Sequence, residues 1–428
     1  MSQRTPFPPV FWVANLIEVL ERFSYYGIYF GFGIYLTSLG FSRDQLGIVQ
    51  SLFLLVSYTV PIISGTMADR YGFKKILIIS YLAYLPAILL MLVSKSFGGI
   101  ATTMLLIAMA AGIFKPLISG TVRAVTDGTN KTIGFGIFYA MVNVGGTVGP
   151  IVAGKLRATS WENAFIASAA GIVAMLIVTV LFYREPSREE SAKSLKETLG
   201  EIGTVLSDLK FTSFLVILGF GFWLPFWSFF NLCALYVDSS VDTAQLYLGM
   251  RGVVGAGVAD FLSQVDETGT RRILGETISH TGWIIIFLQL SVSRVAERFR
   301  AMPVFNTGQI IAGLGFVVLG IAATGSPAIV FLGIFLFALG EMIASPRIQE
   351  YITWLAPKEK AGLYMGASFL STAIGGLTSG IYTSVYGRFD AAGNPGGVMF
   401  VLGAHMVLSI GLIWIFGKVA GDFQEQSA

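Results

Sequence analysis

Charge is scarce in this sequence. Only 12% of its 428 residues are Asp, Glu, Lys or Arg, 54% are hydrophobic, and the mean hydropathy is +0.73. Soluble domains carry about a quarter charged residues, so this balance excludes a water-soluble globular class and indicates a polytopic membrane protein. A net charge of +3 leaves no basic field with which to hold nucleic acid. The single cysteine, Cys233, excludes an internal disulfide and a cysteine-built metal site. Two histidines are too few for a zinc enzyme, and neither H-E-x-x-H nor G-x-S-x-G occurs. No enzymatic activity, metal or organic cofactor is therefore expected. The amino-terminal "MSQRTPFPPV" lacks a cleavable signal pattern, so the first apolar run is expected to stay as an anchor.

What is abundant is long apolar runs and small residues. Runs of about 20 residues are the signal of membrane spans. Twelve can be placed, at 10–36, 46–67, 76–94, 99–122, 132–156, 163–182, 212–236, 277–295, 303–323, 327–354, 361–386 and 397–417. Fifty glycines suit helices that approach closely in lipid. The one long charged connection lies between spans six and seven. It predicts an amino-terminal six-helix bundle over 1–182, a partly helical surface linker over 183–211 and a carboxy-terminal bundle over 212–428. Most lysines and arginines fall on the side of the termini, which predicts both termini to be cytoplasmic in a bacterial inner membrane. A monomer in the lipid bilayer is expected.

Against that background "EVLERFSYYGIY" stands out, because Glu18, Glu21 and Arg22 interrupt an otherwise apolar span. A charge at the bilayer centre costs about 2.5 to 3.5 kcal/mol on insertion scales, so three on one helix must pair or face water. Spaced i, i+3 and i+4, they share one helix face, which Tyr25 and Tyr29 continue. Arg22 can pair with Glu18, which leaves Glu21 with a less certain partner, the situation a proton carrier needs. Two more charges lie at depth: Lys115 in "AGIFKPLIS" before Pro116, and Glu341 in "LGEMIASPR". One falls in each half of the chain, so a salt bridge between them that opens during a transport cycle is expected. Protons are the expected coupling ion.

The loops add a signature. "GTMADRYGFKK" after span two presents Gly65, Asp69, Arg70, Gly72, Lys74 and Lys75, and "SRVAERFRAMP" after span eight repeats its small-acidic-basic-aromatic string. The first resembles the signature loop of the major facilitator superfamily, where an acidic group at a helix end acts as a gate latch; the all-α major facilitator fold is thus implied, its two bundles parallel repeats. More specifically, "EVLERFSYYG", "GIFKPLIS", "FYAMVNVGG" and "GEMIASP…LAPKEKAG" resemble motifs of the proton-dependent oligopeptide transporters. That resemblance implies proton coupling by Glu18, Glu21, Arg22 and Glu341. It also implies a peptide carboxylate at Arg22 and Lys115, its amino terminus near Asn143 and Glu341, and a pocket lined by Tyr25, Tyr26 and Tyr58.

The pattern also breaks. Where the family commonly places an arginine this chain has Tyr29, and where its partner glutamate would lie on span seven it has Asn231 or Phe230; both Tyr29 and Asn231 are taken as pocket residues. Losing both charges together is coherent, since either alone in a dry site would be costly. On span eight the nearest polar candidates are Ser279 and His280. The segment from Asp238 to Glu276 reads as an extension of span seven followed by an amphipathic helical stretch outside the membrane. On span five, Gly136, Gly145, Gly149-Pro150 and Gly154 resemble the pattern of drug/proton antiporters, although packing against a neighbouring helix explains them too. The function expected is therefore proton-coupled secondary transport, by alternating access, of small peptides or peptide-like zwitterionic or anionic solutes, with a proton-driven exporter of an amphipathic metabolite or drug as the alternative.

Overall fold

The computed structural model describes residues 5–127, 129–186, 194–355 and 361–420. Part of the expected linker (187–193) and of the span-ten motif (356–360) lies outside them. The chain runs through α1 (Pro9–Ser38), α2 (Arg43–Tyr71), α3 (Phe73–Val93), α4 (Phe97–Ala124), α5 (Lys131–Arg157) and α6 (Trp161–Phe182). After α7 (Leu195–Leu206) come α8 (Leu209–Leu218), a π-helical turn over Gly219–Trp223 and α9 (Leu224–Ser240). Then follow α10 (Thr243–Val254), α11 (Ala256–Phe261), β1 (Ser263–Val265), β2 (Arg271–Ile273) and α12 (Gly275–Ile278). The last five helices are α13 (Gly282–Ala296), α14 (Ala301–Ala322), α15 (Ile329–Leu355), α16 (Ala361–Ala391) and α17 (Gly397–Ala420).

Among the described residues nine segments are long and apolar enough to cross a membrane, Leu209–Ser240 counting as one of them. The other three expected spans fall on α1, which carries the three charges, on α13, which has only 15 residues, and on α16, rich in Ser, Thr and Gly. Span eight begins later than the sequence suggested. Residues 275–278 form a separate turn, and α13 starts only at Gly282.

Two compact units result, one of Met1–Tyr35 with Val56–Thr198, the other of Leu36–Leu55 with Leu199–Ala428. The division differs from bundles at 1–182 and 212–428 chiefly in assigning Leu36–Leu55 to the second unit. A physical reason lies in α2. Gly47 and Gly380 of α16 are so close that a Cβ on either would strike the other's backbone oxygen. Gln50 then donates to the Asn231 carbonyl at 2.9 Å and accepts from Thr383 at 2.7 Å.

In the first unit, prolines organise the crossing of α2 and α4. Pro61 cannot donate to the carbonyl four residues back, and neither can Pro116. The Ser57 carbonyl freed by Pro61 accepts from Lys115 Nζ at 3.2 Å; the Gly112 carbonyl freed by Pro116 accepts from Ser64 Oγ at 3.2 Å. Gly112 itself leaves no room for a side chain, since a Cβ there would lie 2.7 Å from Val60 Cβ. Small residues thus let the helices touch, and side chains from the neighbour repair the broken ladders.

The second unit is built from rings. Phe226, Phe229 and Phe316 gather around Phe337, with Phe222 against Phe226, and Phe229 and Phe337 stack with centroids 3.7 Å apart at 6°. Pairs of this kind add about 0.5 to 1.5 kcal/mol beyond their burial. Between α9 and α13, α10 and α11 are the helical stretch the sequence suggested, and α9 does extend to Ser240. The hairpin of β1 and β2 was not expected. Its turn is made by Asp266, whose Oδ1 accepts from the Thr268 and Thr270 amides at 2.9 and 3.0 Å, with Gly269 at φ 81°.

Candidate functional site

The first unit gathers a buried ionic cluster on α1. Glu18 and Glu21 have no exposed surface. Arg22 Nε donates to Glu18 Oε1 at 2.7 Å, and Arg22 Nη1 lies 3.2 Å from Glu21 Oε2. Tyr84 Oη of α3 donates to Glu21 Oε1 at 3.4 Å. The i, i+4 spacing brings Arg22 over Glu18, and the guanidinium fork reaches Glu21 as well. One cation therefore serves two carboxylates, while Glu18 Oε2 has no hydrogen-bond donor among the described residues.

α5 holds this face of α1 in place. A Cβ at Gly145 would collide with the Val19 carbonyl and come within 2.7 Å of Arg22 Cβ; one at Gly149 would collide with the Phe23 carbonyl. Gly146 lies against the Tyr26 ring, whereas Gly136 has open space around it. Of the span-five glycines, Gly145 and Gly149 thus pack directly behind the ionic residues.

Lys115 completes the cluster. Its ammonium donates to Ser57 Oγ at 2.6 Å and to the Ser57 carbonyl, and it lies 3.9 Å from the centre of the Tyr58 ring and 5.4 Å from that of Tyr25. No carboxylate forms a salt bridge with it among the described residues. Tyr25 stacks on Tyr29 at 5.7 Å and meets Tyr26 edge-on at 5.0 Å. Tyr29, at the position where an arginine was expected from the resemblance, is buried at 5% exposure. Asn143 is buried too, its Nδ2 donating to the Tyr139 carbonyl of its own helix at 2.9 Å.

The remaining sequence candidates divide between the units. Asn231, in the second, is buried, and its Nδ2 donates to Ser379 Oγ at 2.8 Å. Glu341, also in the second, has a buried Oε2 without a hydrogen-bond donor among the described residues. His280 lies in the break before α13 and contacts the Thr277 carbonyl at 3.2 Å. At the signature loop, Gly72 takes φ 97°, which ends α2 and starts α3 one residue later. Asp69 and Arg70 are exposed, and Arg70 and Lys75 both sit over the Tyr71 ring at 5.5 Å. Gly65 faces Pro116 of α4.

Sequence reasoning missed Glu185. Its two carboxylate oxygens accept from the amides of Phe73 and Lys74 at 2.7 and 2.8 Å, closing the amino end of α3. Lys74 answers by donating to the Val180 and Tyr183 carbonyls at 3.1 and 2.9 Å, closing the carboxy end of α6. Acids favour helix amino ends and cations carboxy ends, so the exchange satisfies both dipoles. The signal was an acid three residues past the end of span six, hidden in a charged run.

Comparison with known proteins follows the same lines. The uncharacterized transporter YclF of Bacillus subtilis (strain 168) is 25% identical over 453 aligned residues, covering 91% of this chain and 91% of its own. The quinolone resistance protein NorA of Staphylococcus aureus (strain MRSA252) is 24% identical over 233 residues, 54% of this chain and 59% of its own. A crystal structure of a POT family transporter in complex with a thioalcohol conjugated peptide superposes with a TM-score of 0.75 at 19% identity, covering 95% of this chain and 96% of that one. That likeness is one of fold, and it is the fold the sequence resemblance implied. The sequence profile of the Major Facilitator Superfamily matches residues 14–380. With its long apolar helices and this profile match, the chain is an integral membrane protein of the Major Facilitator Superfamily.

Proposed function

We propose that this protein is a secondary transporter that couples protons to the movement of small peptides or peptide-like solutes bearing a carboxylate, by alternating access. The observation that carries the reading is the charge balance of the buried cluster. Glu18 and Glu21 contribute two negative charges, Arg22 and Lys115 two positive ones, and the patch is neutral. An entering carboxylate would be drawn to Lys115, which pairs with no carboxylate among the described residues, and to the shared Arg22. The cluster would then hold one negative charge too many in a poorly solvated site, and protonation of a glutamate restores neutrality. Solute binding and proton uptake are thereby linked through one guanidinium. Tyr25, Tyr26 and Tyr58 supply ring faces for varied side chains. Glu341 offers a second carboxylate, in the second unit, that can carry a proton. The lysine and arginine bias supports termini on the cytoplasmic side of a bacterial inner membrane.

A proton-driven exporter of an amphipathic compound is the second reading. The relation to a quinolone resistance protein and the ring-rich second unit favour it. Counterflow in proteoliposomes, with dipeptides, tripeptides, their carboxamides and a quinolone, separates the two. Exchange of free-acid peptides driven by an inward proton gradient, lost in Glu21→Gln, is the expected result. Exchange of the quinolone alone would replace this reading by the second.

A further inference from the structure

The second unit carries a groove that the ionic cluster does not use. It has a volume of about 570 Å³ and opens among α13, α14 and α15. That size is within the range of small-molecule sites, about 300 to 1,000 Å³. Its walls are nearly all hydrocarbon: Val292, Val295, Phe299, Val304, Leu339 and Ile343 face it. Two of these, Val295 and Phe299, expose 57% and 61% of their surface, as do Phe287 and Leu290 further along α13 at 78% and 67%. The groove is thus continuous with an apolar helix face of the kind that meets lipid tails. So few polar groups line it that a peptide or other polar solute would find nothing to orient it.

One end of the groove is strongly cationic. Arg294, Arg298 and Arg300 lie within seven residues of Phe299's turn with Glu297 as the sole acid, a local balance of +2. All three arginines are exposed, and none forms an ion pair among the described residues. The turn between α13 and α14 is itself braced, because buried Arg347 of α15 donates to the Phe299 carbonyl and pairs with Glu350. A fixed apolar slot thus ends beside free guanidinium groups.

We propose that this groove binds an anionic phospholipid of the surrounding bilayer, one acyl chain lying between α13, α14 and α15 and the phosphate meeting Arg298 and Arg300. The charge complementarity selects an anionic lipid over a zwitterionic one, since each cation near the headgroup level adds to the attraction. Arginine is suited to the task because its planar fork matches phosphate oxygens.

Native mass spectrometry of the full chain, released from detergent with equal amounts of phosphatidylglycerol and phosphatidylcholine, tests it. Preferential retention of phosphatidylglycerol is expected. The exposed double variant Arg298→Gln/Arg300→Gln should reduce that retention on the order of tenfold and leave phosphatidylcholine unchanged. Thr307→Trp, which fills the slot from an exposed position on α14, should reduce retention of both lipids. Thermal melting of each variant in the same detergent confirms that the fold persists. Equal retention of the two lipids by the native chain, or undiminished phosphatidylglycerol in the double variant, would overturn the headgroup contact. Undiminished binding to Thr307→Trp would overturn the groove as its seat. Displacement of the lipid by soluble glycerol phosphate would show an anion site without a lipid site, and would also overturn it.

Discussion

The two units handle depth in the membrane by opposite means. In the first, Glu18, Glu21, Arg22 and Lys115 are buried together and neutralise one another, with tyrosine rings and proline-freed carbonyls filling the remaining valences. In the second, α9 and α15 meet through phenylalanines. A charge cluster can change its protonation and its partners; stacked rings can only stay packed or come apart. The first unit thus holds its interior together by ion pairing, the second largely by aromatic packing.

Breaking the cluster should have the largest effect. Arg22→Leu strands two carboxylates, and removing one partner of a buried ionic group costs about 3 to 5 kcal/mol. Thermal unfolding in detergent should show that loss, and the further change Glu18→Gln/Glu21→Gln should recover much of it. If Arg22→Leu melts like the native chain, the cluster is hydrated and the contrast between the units collapses.

Phe337→Ala attacks the other side of the comparison. Removing a buried phenylalanine costs about 3 to 5 kcal/mol, at the lower end where neighbours can collapse into the space. Stability should fall while the proton dependence of exchange in proteoliposomes keeps its native form. A changed proton dependence would mean that the ring-packed unit takes part in coupling.

Lys115→Ala sharpens the contrast with a smaller change. The native chain should bind a peptide acid more tightly than its carboxamide by about 1.5 to 3 kcal/mol, one charge-assisted hydrogen bond. In the variant, isothermal titration should find that preference largely gone. An undiminished preference would move the anion contact to Arg22 alone.

The smallest effect is local to the hairpin of β1 and β2. Thr268 and Arg272 hold the Asp266 carboxyl well below the usual carboxylate range. A depressed folded pKa means the hairpin's contribution is present above the ordinary carboxylate value, near 3.9, and fades as pH falls from there through the folded value. Asp266→Asn should lower the protection factors of the Thr268 and Thr270 amides at neutral pH, and the native protection factors, with the intrinsic base-catalysed rate divided out, should hold steady between pH 5 and 7. Equal protection in both proteins would show that Gly269 and the strand pairing suffice.

Much of this was legible in the sequence, and the reasons are specific. Charges inside apolar runs are rare enough that Glu18, Glu21, Arg22, Lys115 and Glu341 announced themselves, and i, i+4 spacing was enough to pair Arg22 with Glu18. The loop with Gly72 and its basic neighbours marked a turn. Tertiary partners were not legible. Nothing local says that the carbonyl freed by Pro61 would take Lys115, that Asn231 would turn to Ser379, or that Glu185 would reach α3. Each depends on a residue tens of positions away. The hairpin was missed because the apolar spacing of 238–276 looks helical, while its turn is written in "DETGT", where polar side chains rather than periodicity decide.

The exchange between Glu185 and Lys74 also has a meaning in time. A chain is made from its amino end, and the amides at the start of α3 emerge more than a hundred residues before the carboxylate that closes them. Until then the turn after α2 has only water and headgroups to satisfy it. A late piece of the first unit is thus the one that locks an early helix, so a ribosome stalled within α6 would hold a half-capped intermediate. Release of the tail beyond Tyr183 marks the moment at which this cap can close, before the helices from α8 onward have been made.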